Sequence, residues 1–308
     1  MRLATLLVSL SLASSWAGCT PTGNGGEEEV TANQACDATS EATCRRYQDC
    51  APWYIQYLFG DYNTCLTRVR MGCTDAFVAS GATVTPKQVV DCMNAVNTAS
   101  CEDWFAGRIP AACDYPAGTL SNGSTCATGN QCASESCHYG TSLCGACAAP
   151  AGAGGSCQNV DCAQGLVCAG AYTCVSEGAA GAGCDSGHPC QQHLVCINGT
   201  CSAPLAGGSA CNPQASACNG VAGQVCVNNT CQAVGFAGTG QPCGLINNGF
   251  TVCAASGTCN VPQGQSAGSC MAAAADGAAC NNQTGPWCMS PAGCFDGVCK
   301  LRTPASCG

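Results

Sequence analysis

Four groups of residues have the types and spacing of reactive chemistry. Cys144-Gly145-Ala146-Cys147 has the C-x-x-C spacing of a redox pair. Such a pair works when a helix N-terminus in a βαβ setting lowers a thiol pKa. Here it lies between a loop and a Gly/Ala-rich linker, so a structural role is expected. Gly264-Gln265-Ser266-Ala267-Gly268 matches the G-x-S-x-G nucleophile elbow, which needs a strand before it, a helix after it and a later histidine. No helical pattern follows, and His138, His188 and His193 all precede it, so the segment reads as linker. Zinc sites favour closely spaced cysteine knuckles, whereas most cysteines here are four to nine residues apart. Exported thiols are also oxidised before they meet zinc, and His188 and His193 around Cys190 are expected to be solvated. The sequence therefore assigns no catalytic residue, no metal site and no cofactor, and the chain is not expected to be an enzyme.

The fourth group is Cys19, which stands alone after an apolar run. Residues 1–18 have the parts of an export signal: Arg2, the apolar stretch from Leu3 to Leu12, then small residues Ala17 and Gly18. The run is too short to span a bilayer. Trp16-Ala17-Gly18-Cys19 resembles the lipobox of bacterial lipoproteins, with Trp16 where that pattern prefers Leu. Ordinary cleavage after Ser15-Trp16-Ala17, giving a secreted protein, is the alternative. Parity favours the lipid: of 35 cysteines, removing Cys19 leaves 34, enough for 17 complete pairs. Residues 19–35, with Gly, Asn, Thr and three consecutive Glu, read as a lipidated flexible acidic tether. The residue after Cys19 is Thr20 rather than Asp, which favours the outer membrane or cell surface. The membrane would then be met only through the anchor on Cys19.

Cysteine makes up 35 of 308 residues and charged residues only 9%, which points to a disulfide scaffold with little hydrophobic core. Aromatics divide the chain unevenly, nine in residues 36–113 and seven in the longer 114–308. Only two basic residues, Lys300 and Arg302, follow Asp114, so no clustered cationic surface exists for nucleic acid. Residues 36–113 read as a small α-helical domain of three or four helices stapled by eight cysteines. Thr85, Pro86 and Gln88 form a helix start, and 40–50 and 63–78 read as further helices with stops at Gly60 and Gly81. In the segment APWYIQYLFGDY, Trp53, Tyr54, Tyr57 and Phe59 form a candidate binding patch, with core burial the competing role.

Residues 114–308 read as tandem cysteine-rich β-hairpin repeats. Segments 157–174, 184–201, 211–231 and 280–299 each hold four cysteines, 243–259 reads as a unit that has lost one, and 126–147 is divergent. Val167, Val195, Val225 and Val252 each precede the third cysteine or its equivalent, and Asn198-Gly199, Asn228-Asn229 and Asp296-Gly297 suit type I′ turns. The sequence leaves the connectivity open. First-to-third with second-to-fourth is the preferred pairing: Cys157–Cys168, Cys162–Cys174, Cys184–Cys196, Cys190–Cys201, Cys211–Cys226, Cys218–Cys231, Cys280–Cys294 and Cys288–Cys299.

These repeats resemble the Dickkopf N-terminal cysteine-rich module and, more loosely, EGF-like modules. The order of lipobox, eight-cysteine helical domain, CGAC and four-cysteine units resembles the cysteine-rich lipoproteins of myxobacterial type. No receptor-binding residue of the animal proteins is recognisable, so their signalling role is not carried over. The layout of tether, helical domain and stapled units reads as a surface protein that meets an extracellular protein or glycan without catalysis. A protease-resistant envelope spacer and a soluble secreted inhibitor or ligand-binding protein are the alternatives.

Overall fold

The structure, a computed structural model, describes residues 29–105, 108, 110–213 and 217–307. The expected export signal and Cys19 lie outside the described residues. None of the described helices is long and apolar enough to cross a membrane.

Helix α1 (Ala32–Cys50) starts at Thr31, whose hydroxyl accepts the Gln34 N–H while the Gln34 side chain accepts the Thr31 N–H. That capping box draws Ala32–Ala35 into the helix, so the tether expected over 19–35 ends earlier. Helix α2 (Pro52–Leu58) begins on a proline. Helix α3 (Tyr62–Arg70) is capped by Asp61, which accepts the Thr64 N–H at 2.8 Å, a bond that also holds its carboxyl below the usual range. Helices α4 (Asp75–Val78), α5 (Pro86–Thr98) and α6 (Cys101–Phe105) follow. The stretch 63–78, expected as one helix, is broken because Met71 is extended and Gly72 has φ +71°. The break lets Cys73 turn back to Cys36. Cys44–Cys65, Cys50–Cys101 and Cys92–Cys113 complete the staples. Ile55, Phe59 and the Cys44–Cys65 bridge form a small core flanked by Tyr47, Leu58, Tyr62, Leu66 and Val69.

The rest of the chain is six copies of one disulfide plan. Four copies carry a hairpin: β4–β5 (Leu166–Ala169, Thr173–Ser176), β6–β7 (Val195–Ile197, Thr200–Ser202), β8–β9 (Gln224–Val227, Thr230–Ala233) and β15–β16 (Gly293–Phe295, Val298–Lys300). Asn198, Asn228, Asn229 and Asp296 all have positive φ, as the hairpin turns require. In every hairpin the third and fourth cysteines stand opposite one another, as Cys196 does to Cys201. They do not bond each other. The third reaches back to the first and the fourth to the second: Cys157–Cys168 with Cys162–Cys174, Cys184–Cys196 with Cys190–Cys201, Cys211–Cys226 with Cys218–Cys231, and Cys280–Cys294 with Cys288–Cys299.

The two irregular copies keep the plan. In the first, Cys126–Cys137 and Cys132–Cys147 staple a sheet of β1 (Thr125–Cys126), β2 (Cys137–His138) and β3 (Gly145–Cys147). The unit expected to have lost a cysteine has not lost one. It pairs Cys243–Cys259 and Cys253–Cys270, so Cys270 is its fourth member and Cys253, after Val252, its second. An extra hairpin turning at Asn247-Asn248, both with positive φ, separates its first two cysteines and displaces the spacing. The result is a five-stranded sheet in the order β10 (Gly235–Ala237), β12 (Gly249–Cys253), β11 (Pro242–Ile246), β14 (Ala267–Met271), β13 (Thr258–Asn260).

Each copy is entered through the same turn. A glycine three residues before the first cysteine (Gly123, Gly154, Gly181, Gly208, Gly240 or Gly277) has positive φ and donates its N–H to the carbonyl of the fourth cysteine. The N–H of that fourth cysteine returns to the residue after the glycine, as Cys201 does to Ala182 at 2.8 Å. The small-residue linkers are thus part of the units.

The array folds back on the helices instead of trailing from them. Arg68 of α3, its side chain 10% exposed, places two nitrogens on Asp276 at 2.6 and 2.9 Å and also donates to the Ser290 and Met289 carbonyls. Ala255 and Ser256, both left-handed, donate their N–H groups to the Gln56 and Tyr57 carbonyls at the end of α2, and the Ser256 hydroxyl donates to Leu58 O. The last carbonyls of a helix lack internal partners; a repeat supplies them here. Gln131 donates to Ser80 O from the first copy. Cys144–Cys307, spanning 163 residues, then ties that first copy to the C-terminal helix α7 (Pro304–Cys307). Arg302 seals this junction from 3.7 Å over the Tyr139 ring while donating to Leu143 and Ser142 carbonyls.

Arg68→Lys keeps the charge but loses the planar fork. It is expected to cost about 2–4 kcal/mol in chemical unfolding of the oxidised protein, since two part-buried carbonyls and Asp276 lose partners together. A midpoint equal to that of the parent would mean that the last repeat merely rests on α3.

Candidate functional site

The reactive-looking motifs resolve into structure. Cys144 and Cys147 of the C-x-x-C bond to Cys307 and Cys132, not to each other. Ser266 is exposed and leads into β14 rather than a helix. There Gly268 passes so close to Asn260 that a Cβ would lie 1.9 Å from its carbonyl oxygen, so the end of the segment, Ala267-Gly268, is sheet while Gly264-Gln265-Ser266 remains a connecting turn. Sulfur clusters such as Cys126, Cys132 and Cys147 lie within 4.8 Å of one another. Their atoms belong to adjacent disulfides and offer no thiolate for a metal. His188 is exposed and 2.9 Å from Asp185.

The expected aromatic patch divides. Phe59 is 4% exposed and packs in the core with Ile55, one helical turn before it, so it is not part of any surface. Tyr57 is half-buried beside Trp53, with 5.8 Å between ring centroids. Trp53 and Tyr54 continue into a different assembly. Trp53 packs tilted against Tyr54 with 4.2 Å between ring centroids, Tyr47 stacks on Tyr54 at 5.6 Å, Tyr54 lies 6.1 Å from Phe105, and Trp104 packs edge-on to Tyr47 at 4.8 Å. Phe105 gets there because Cys50–Cys101 pins the start of α6 to the end of α1, next to α2. Ser100 caps α6 by accepting the Asp103 N–H.

Facing these rings are the third and fourth repeats. Their residues Gln192, His193, Leu194 and Val195, then Pro204, Asn219 and Val221, close an open groove of about 500 Å³ with Trp53, Tyr54 and Phe105 as the other wall. The groove continues past Phe105 to Glu102. The Trp53 indole donates to the Val221 carbonyl at 2.9 Å, and Gly223 (φ +69°) lies so close that a Cβ there would be 2.7 Å from Trp53 Cγ. Asn219 accepts the Ala222 N–H and so shapes the turn carrying Val221.

At the Glu102 end one arginine serves two carboxylates. Arg108 donates to Glu102 at 2.8 Å and also pairs with Asp103, while His193 Nε2 lies 3.4 Å from the same Glu102 oxygen. The Ser100 hydroxyl, then Arg108, hold the Asp103 carboxyl below its usual range. Burial pushes Glu177 up, with His193 and Arg108 opposing. His193 Nδ1 is buried without a hydrogen-bond partner among the described residues.

Sequence reasoning finds Trp53 and Tyr54 but misses Phe105, Gln192, Asn219 and Val221, because three distant segments supply them. One available signal is the second aromatic pair, Trp104-Phe105, three residues after a cysteine. Comparison of the chain with family models, with curated proteins and with solved structures returns no match.

Gly223→Ala must force a left-handed alanine and push on Trp53. It is expected to cost about 2–3 kcal/mol and to red-shift tryptophan emission. Gly208→Ala, also left-handed but with open space around the added Cβ, should cost less and leave the emission unchanged. Equal spectra for both variants would contradict the packing of Trp53 against this repeat.

Proposed function

We propose that the chain is a non-catalytic extracellular interaction module, held at the outer membrane or cell surface by a lipid on Cys19, with the aromatic groove as its binding surface. The observation that carries the location is cysteine pairing. Seventeen disulfides engage all 34 cysteines from Cys36 onward, a density that belongs to an oxidising, exported environment. Cys19 alone is left over, at the place where acylation would use it. The groove supports binding: it is concave, its walls are fixed by disulfides on both sides, and it gathers aromatic rings and a few polar groups.

The spacer reading is less well supported. A spacer gains reach from an extended chain, whereas Cys144–Cys307 ties the first repeat to the C-terminus and five of the six repeats contact the helices.

Mass spectrometry of the native N-terminal peptide is expected to show acyl chains on Cys19, and Cys19→Ala should release the protein into the medium. The released chain, labelled and added back to intact host cells, should bind saturably. An unmodified N-terminus at Gly18 would overturn the anchor, and uptake that rises linearly with concentration would overturn the binding reading.

A further inference from the structure

The groove between α2, α6 and the third and fourth repeats has a composition that selects among ligand chemistries. Of the residues lining it, Glu102 alone carries a formal charge, and Arg108 at 2.8 Å and His193 at 3.4 Å already engage it. Arg108 is itself held by both Glu102 and Asp103. An anionic ligand therefore finds no uncommitted cation there, and a cationic one would have to displace Arg108. What remains carries no formal charge: the rings of Trp53, Tyr54 and Phe105 on one side and the carboxamides of Gln192 and Asn219 on the other. Aromatic faces pack against the C–H face of a sugar ring, and planar carboxamides offer a donor and an acceptor side by side to neighbouring hydroxyls.

Shape agrees with composition. The space is an open trough of about 500 Å³, within the usual range for small-ligand sites, roughly 300–1,000 Å³. Its walls are also pre-set. Cys50–Cys101 fixes α6, while Cys190–Cys201 and Cys218–Cys231 fix the facing repeats, so little ordering is left for binding to overcome.

We infer that this groove binds a short, uncharged oligosaccharide, its sugar rings packed against the accessible parts of Trp53, Tyr54 and Phe105 and its hydroxyls bonded by Gln192 and Asn219. The assignment rests on the interaction reading above and names the ligand class of that same groove.

The test uses the full oxidised chain carrying Cys19→Ala, titrated separately with maltohexaose, cellohexaose and hexa-N-acetylchitohexaose by tryptophan fluorescence and saturation-transfer NMR. At least one is expected to bind saturably with a Kd below ~1 mM. Tyr54→Ala should weaken that binding at least tenfold, and Gln192→Ala, at an exposed side chain, should weaken it a few-fold without altering unfolding. Tyr172→Ala, at an exposed ring outside the groove, should leave it unchanged. The saccharide assignment is overturned if none of the three binds at about 10 mM, well above the affinity expected. It is equally overturned if binding survives both groove substitutions. An arginine-rich peptide that binds in place of the sugars, and loses affinity in Tyr54→Ala, would refute the saccharide while leaving the interaction module standing.

Discussion

The crossed pair of disulfides in each repeat is the constraint on which the rest of the molecule depends. The third and fourth cysteines face each other across a hairpin, yet each bonds to a cysteine upstream. The hairpin is thereby pinned to the strand-like segment before it. Intra-repeat bridges close loops of 11 to 17 residues, and each contributes ~3 kcal/mol, chiefly by limiting the unfolded chain. The interior of the repeats is otherwise nearly empty of large side chains: Cys126, Cys132, Cys147, Cys174, Cys201, Cys231, Cys243 and Cys299 are their largest fully buried residues. Sulfur stands where Leu or Phe would stand in a domain with a conventional core.

Rigid units of this kind have few apolar faces, so they dock by hydrogen bonds. Arg68 spends its fork on Asp276 and two carbonyls, and Ala255-Ser256 completes the open end of α2. Both are polar contacts at buried positions, where a missing partner costs more than a formed bond contributes. This favours one arrangement of repeats around the helices. The same arrangement brings Val221 and His193 opposite Trp53 and Phe105, so the groove is a product of docking and belongs to neither part alone. Ring closure by Cys144–Cys307 adds less than the ~5 kcal/mol of a bare loop of that length, because other disulfides already shorten the path.

What the sequence made legible was local. The Thr85-Pro86-Gln88 helix start and the Asn198-Gly199 turn depend on a few neighbouring residues, whereas the repeated plan of four cysteines gives the units but leaves their connectivity open. The helix break at Met71-Gly72 was missed because the cysteine staple to Cys36, not the local pattern, selects it. The fifth repeat was misread because an inserted hairpin moved its fourth cysteine to Cys270. A G-x-x-C entry turn, from Gly123 to Gly277, marks all six repeats. The groove was half legible: Trp53 and Tyr54 advertise themselves, but Phe105 comes from another helix and the facing wall from residues over a hundred positions away, while Phe59 takes the core role that competed with the patch.

Disulfide mapping tests the account most directly. The native protein should be alkylated without reduction, digested, and its linked peptides sequenced by mass spectrometry. The structure requires first-to-third and second-to-fourth links in all six repeats, Cys253–Cys270 in the fifth, and Cys144 joined to Cys307. A Cys144–Cys147 link, or adjacent pairing of third with fourth cysteines such as Cys196–Cys201, would contradict it.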